Sequence, residues 1–241
     1  MKIIITEDFD EMSKKAAQVI AKQINEKSDS VLGLATGSTP IGTYKELVKL
    51  FQAGTINFEK ITTFNLDEYL GIAPTNPQSY QYFMKENLFS HVNLPEDHWH
   101  VPNGKAECSK TECFNYDTMI QDQGGLDLQL LGIGHNGHIG FNEPKEEFLR
   151  YTHVVSLDER TIEANARFFA TKEEVPTQAI TMGILTIMAA KKVLLVISGK
   201  DKAEIAKQAL QGEITPQIPA SILQCHPDLT VILDKDAASL L

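Results

Sequence analysis

The sequence predicts an α/β protein, and three observations carry that reading. Short apolar runs rich in β-branched residues alternate with longer amphipathic stretches, which is a strand followed by a helix, repeated. Strands separated by helices imply parallel βαβ units in a sheet covered on both faces. No repeat, low-complexity tract or long Gly/Pro/Ser linker divides the chain, so residues 1–241 are expected to form one domain.

Residues 2–6 open as a strand, and residues 9–27 follow as a helix with Met12, Ala16, Val19, Ile20 and Ile24 at helical spacing. Residues 31–35 form the next strand, before a helix over 41–53. Further strands are expected at 61–65 and 126–133. Residues 193–198 precede a helix over 201–210, and 229–233 read as the last strand. Ligands of such a sheet bind at the carboxyl ends of its strands, where the loops gather. Two turn-rich loops, 73–77 and 217–220, lie near enough to those ends to cover a site.

Composition narrows the function. With 241 residues, 42% hydrophobic and 22% charged, the chain is large enough to bury a core without disulfide staples. Its three cysteines, Cys108, Cys113 and Cys225, are an odd count and read as reduced structural thiols. The opening MKIIITEDFDE lacks the apolar length of a signal peptide, and no later run nears that of a transmembrane helix, so a soluble cytoplasmic protein is expected. A formal charge of −10 argues against nucleic acid as a partner, and nothing points to a membrane. A small phosphorylated ligand stays open, because it needs only a local cluster of donors, and Arg150, Arg160 and Arg167 are the three arginines available.

Three segments carry chemistry. TGSTP, residues 36–40, leaves an apolar strand through a small-residue turn and enters a helix with Pro near its first turn. Gly37 lets backbone approach closely, Ser38 and Thr39 add hydroxyls to Thr36, and the helix start offers free N–H groups to an anion. A plain capped turn has the same composition. In FNLDEY, residues 64–69, an apolar strand ends in Asp67 and Glu68, which strand alternation points in opposite directions. At most one of them enters a cleft, where a buried carboxylate can serve as a general base. GIGHNGHIGFNEP, residues 132–144, sets four glycines, His135, Asn136, His138 and Glu143 directly after a very apolar strand. His135, His138 and Glu143 are possible metal ligands, but the loop lacks the helical spacing of zinc proteases. An acid-base relay fits better: His138 belongs to the residue type that titrates near neutral pH, with Glu143 to orient it and Asn136 to fix its tautomer or bind a hydroxyl.

Together and in this order, these segments resemble the glucosamine-6-phosphate deaminase family, from the first strand nearly to the C-terminus. The resemblance implies a Rossmann-like, doubly wound, mostly parallel sheet related to 6-phosphogluconolactonases, with glucosamine 6-phosphate as substrate, no cofactor and no metal. It casts Asp67 as the base that moves a proton between C2 and C1 of the opened sugar. It casts His138, supported by Asn136 and Glu143, as the group that opens the pyranose ring. The phosphate is implied to sit on Thr36, Gly37, Ser38 and Thr39 with Arg167 and Lys202, although Lys200 lies two residues from Lys202 and is an alternative.

Two departures accompany the resemblance. Many members carry Asp where this chain has Asn136. The basic activator contacts of allosteric members are replaced here by Glu146, His153 and Val155, so no allosteric site is expected. The rival readings are a lactonase on the same fold, which needs no carboxylate in FNLDEY, and a sugar-phosphate-sensing domain, for which no basic DNA-binding module is present. The sequence favours neither a monomer nor a homo-oligomer.

Overall fold

The computed structural model describes residues 1–157 and 175–241. Its strands, in chain order, are β1 (Lys2–Thr6), β2 (Val31–Leu34), β3 (Thr62–Asn65), β4 (Asp67–Tyr69) and β5 (Trp99–His100), then β6 (Leu128–Leu131), β7 (His153–Ser156), β8 (Gln178–Thr181), β9 (Val193–Ile197) and β10 (Leu229–Asp234). The helices are α1 (Phe9–Glu26), α2 (Ser38–Gln52), α3 (Tyr80–Asn87), α4 (Ser109–Asp122), α5 (Ile184–Met188) and α6 (Ala203–Gln211).

Seven strands form one parallel sheet in the order β1-β10-β9-β6-β2-β3-β5. Every residue of β2, β6 and β9 is buried, so both faces of the sheet's centre are covered, as the apolar runs required. The chain grows from β2 outward through β3 and β5, then returns to the other side of β2 with β6, β9 and β10. The winding direction therefore reverses between β2 and β6. At such a point the loops leaving neighbouring strands part and open a crevice.

Helix α1 buries Met12, Ala16, Ile20 and Ile24 along one stripe, and the Asp8 carboxylate caps it by accepting from the Glu11 N–H at 2.9 Å. Helix α2 begins at Ser38, three residues before the apolar periodicity, because its first turn is made of Ser, Thr and Pro. The strand expected over 126–133 is shorter, Leu128–Leu131. Asp127 instead spends its carboxylate on the Val31 N–H, Lys27 and Lys191.

The FNLDEY segment departs most from expectation. The strand expected over 61–65 is β3 and stops at Asn65, but the carboxylates do not end it in a loop: the chain changes sheets at Leu66 and continues as β4. The Leu66 N–H still donates to Leu34 in the parallel sheet at 3.1 Å, while its carbonyl accepts from the Met182 N–H at 2.7 Å. Asp67–Tyr69 then pairs antiparallel with β8 in a second sheet of order β4-β8-β7. That sheet has its own apolar cluster around Tyr69, Ile72, Phe141, Val155, Leu157 and Ala179. Among the described residues, no helix is long and apolar enough to cross a membrane.

Candidate active site

The loops leaving β2, β3, β6 and β9 surround a cleft of about 510 Å³ at the switch point, and the three sequence segments meet there. On one wall Gly37, at φ 100°, turns the chain out of β2 and into α2. That angle is open to glycine at no steric cost. The Tyr44 hydroxyl donates to the Ala35 carbonyl at 2.5 Å and pins the loop from behind. Thr36, Gly37, Ser38 and Thr39 all face the cleft at the N-terminal end of α2, where unpaired N–H groups favour an anion.

The facing wall comes from the turn after β9. The buried Asp234 carboxylate accepts from the Ser198 hydroxyl and from the Gly199 N–H at 2.9 Å, and so fixes the turn. Lys202 lines the cleft and donates from Nζ to the Ile133 carbonyl at 3.0 Å, whereas Lys200 is exposed outside it. Burial depresses the Lys202 ammonium, against the opposing charge of Asp201. Arg167 lies outside the described residues.

Asp67 and Glu68 do point in opposite directions. Asp67 is buried in the cleft wall and accepts no hydrogen bond among the described residues. Burial, reinforced by the charge of Glu68, lifts its carboxyl to about 8. Glu68 turns away and accepts N–H groups from Tyr69 at 2.8 Å and from Tyr80 and Gln81 at 3.0 Å each. The last two are the first N–H groups of α3, so Glu68 pegs that helix and with it the Tyr80 ring on the cleft wall. For Glu68 itself, burial raises the pKa against those three N–H donors. Sequence reasoning missed the peg, because its partners lie in a segment with no strong pattern of its own.

The glycine-rich loop is built around His138. An added Cβ on Gly134 would stand 2.2–2.5 Å from three atoms of the His138 ring, so only glycine leaves the imidazole its place. Gly140, at φ 58°, likewise leaves room beside the Asp67 carboxylate: a Cβ there would meet Asp67 Oδ2 at 3.4 Å and Thr181 Oγ1 at 2.9 Å. His138 Nδ1 stands 3.0 Å from Glu143 Oε1, off the line of an ideal hydrogen bond. Asn136 ties the two ends of the loop together, its amide N–H donating to Glu143 Oε2 and its carbonyl accepting from the His138 N–H at 3.2 Å. Burial would raise the Glu143 carboxyl, but His138, Asn136 and Lys145 outweigh it and hold the pKa below the usual value. An aspartate at 136 would set two carboxylates face to face, so the amide suits this particular contact.

The loop is anchored from outside by Asn142, whose amide donates to the Ile139 and Met182 carbonyls at 2.9 Å each, and by the Phe141 N–H, which donates to Thr181 Oγ1 at 3.0 Å. Residues 217–220, one of the two turn-rich loops near the strand ends, brace this loop. The Ala220 N–H donates to the Gly137 carbonyl at 2.8 Å, and Ile218 packs against Gly137. Among the described residues, no group of three His, Cys, Asp or Glu side chains is arranged to hold a metal ion.

The family model of glucosamine-6-phosphate isomerases/6-phosphogluconolactonase matches residues 7–232. A glucosamine-6-phosphate deaminase of Lachnoclostridium phytofermentans is 60% identical over 232 residues, covering 96% of this chain and 98% of that protein. The structure of a monomeric glucosamine-6-phosphate deaminase superposes with a TM-score of 0.96 at 47% identity over the full length of both chains. A 6-phosphogluconolactonase from Trypanosoma cruzi, at 21% identity and a TM-score of 0.77 over 100% of this chain and 96% of its own, shares the fold alone. The chain belongs to the glucosamine-6-phosphate isomerase/6-phosphogluconolactonase family.

Proposed function

We propose that this chain converts glucosamine 6-phosphate and water to fructose 6-phosphate and ammonia, with Asp67 as the base that transfers the sugar's proton. The observation that carries this reading is a buried, basic carboxylate in the same cleft as the helix start of α2 and Lys202. A lactonase has no use for such a group, and the 6-phosphogluconolactonase from Trypanosoma cruzi stands at 21% identity against 60% for the deaminase of Lachnoclostridium phytofermentans.

In this reading the phosphate rests on residues 36–39 and Lys202, with Arg167 as a further donor. The closed sugar has no carbonyl to acidify its C2 proton, so ring opening comes first. His138, oriented by Glu143 and through it by Asn136, takes the anomeric hydroxyl proton while the ring oxygen is protonated. Asp67 then removes the proton from C2 and returns it at C1, so that an enolamine becomes a ketimine. Water adds to the ketimine carbon, and the C–N bond breaks to release ammonia and leave the ketose. A relay of this kind contributes on the order of 10²–10⁴-fold to the rate. Incubation of the purified protein with glucosamine 6-phosphate should yield ammonia and fructose 6-phosphate in equal amounts. Hydrolysis of 6-phosphogluconolactone without ammonia release from the amino sugar would favour the lactonase reading.

Asp67 accepts a proton only when ionised, so kcat/KM should decline as the pH is lowered through about 8 in the free enzyme. Removing the neighbouring charge should make Asp67 easier to ionise. Glu68→Gln is therefore expected to shift this acidic limb to lower pH, by on the order of half a unit to one unit. A limb that stays in place or moves upward would show that Glu68 does not set the basicity of Asp67.

A further inference from the structure

We propose that His135 is a positioning residue for the phosphate end of the substrate, holding the Asp201 carboxylate off the anion site that Lys202 serves. The proposal rests on the reading of this cleft as a sugar-phosphate site. His135 lies in the loop after β6 and Asp201 in the turn after β9, and both line the cleft. His135 Nε2 stands 2.6 Å from Asp201 Oδ2, so the pair bridges two walls of the site.

A carboxylate beside a phosphate site is a liability. Asp201 directly precedes Lys202, and a dianion approaching that ammonium also approaches the carboxylate. The hydrogen bond from His135, more than any other contact, holds the Asp201 pKa below the usual range, so the group stays ionised and its charge must be managed rather than lost. The charge of Lys202 acts on Asp201 more weakly than His135 does, and its Nζ donates to the Ile133 carbonyl rather than to the carboxylate, while Lys200 is exposed and does not line the cleft. Among the described residues, His135 is the only other side chain in hydrogen-bond contact with the Asp201 carboxylate. The turn is shaped to the same end: a Cβ on Gly199 would stand 2.6 Å from Asp201 Oδ1, so glycine there lets the carboxylate fold back over the backbone.

The side chains of His135 and Asp201 are 71% and 63% exposed, and exposed pairs add little to folding. The effect of breaking the pair should therefore appear in anion binding. Inorganic phosphate is the probe, its affinity read as competitive inhibition and by calorimetry, beside KM for glucosamine 6-phosphate. His135→Ala should weaken phosphate and raise KM by about three- to tenfold, because it frees a carboxylate beside the anion. Adding Asp201→Asn to that variant should restore both values, since the charge being shielded is gone.

If His135→Ala binds phosphate as the parent does, the shield is refuted while the sugar-phosphate reading stands. If the double variant stays as weak as His135→Ala, His135 contacts the anion itself and the proposal fails. A parent protein that binds no phosphate overturns the anion site and this inference with it.

Discussion

Replacing Asp67 by Asn is expected to abolish deamination and, at the same time, to stabilise the fold at alkaline pH. The amide cannot accept the C2 proton, so turnover and proton exchange at C2 should both drop by about 10²–10⁴-fold or more, while phosphate affinity, assigned in the proposed reading to the other walls of the cleft, should be kept. The stabilisation follows from linkage. Asp67 has a folded pKa of about 8 against an ordinary value of 3.8. Between those values the folded state holds a proton that the unfolded state has released, so this group's contribution grows less favourable as pH rises from about 4 and reaches its full cost above about 8. An asparagine carries no such cost. Allowing for water entering the cleft, a gain on the order of 2 kcal/mol at pH 9 corresponds to a rise of about 4–8 °C in Tm, and the gain should be smaller at pH 5. A well-folded Asp67→Asn enzyme that still exchanges the C2 proton would remove Asp67 from the role of base. A Tm that falls at pH 9 would mean that its carboxylate is held by favourable contacts rather than desolvated.

Most of the parallel sheet was legible because its central strands are buried on both faces and leave apolar runs of their own, whereas the two-residue edge strand β5 is too short to leave one. The three chemical segments were legible for a different reason: glycines, hydroxyls and titratable residues crowd the ends of those strands. What stayed hidden depends on contacts distant in sequence. The second sheet consists of strands of three or four residues, too short for alternation to show, and the change of sheet at Leu66 is decided by Met182, more than a hundred residues later. Glu68 read as a spare carboxylate, although its opposite orientation to Asp67 was predictable from strand geometry; its partners Tyr80 and Gln81 could be found only in three dimensions. The choice between Lys200 and Lys202 was equally a matter of which face of one short turn meets the cleft. His135 drew notice as a possible metal ligand, but its partner Asp201 lies 66 residues on.

Gly134→Ala should leave a folded, phosphate-binding protein that has lost most of its turnover. Gly134 is not among the glycines with positive φ, so alanine brings no backbone strain at this position. The obstacle is steric, with His138 Cε1, Nε2 and Cδ2 at 2.2, 2.3 and 2.5 Å from the added Cβ. All of these atoms belong to the end of a rotatable side chain that is only half-buried, so the ring can swing aside at modest cost in stability. Swinging aside moves the imidazole by an ångström or more and takes Nδ1 away from Glu143, its partner at 3.0 Å. A misplacement of about 1 Å in a catalytic group costs on the order of 10²-fold, so kcat/KM for the closed sugar should fall by about that factor. The walls at residues 36–39 and 202, proposed to hold the phosphate, carry no substitution, so the inhibition constant of inorganic phosphate should stay close to that of the parent. Because His138 is assigned to ring opening alone, a substrate analogue fixed in the open-chain form should recover much of the lost rate. Full activity on the closed sugar would show that the position of His138 is not needed for ring opening. An equal loss on the open-chain analogue would move His138 from ring opening to the later proton transfers around Asp67.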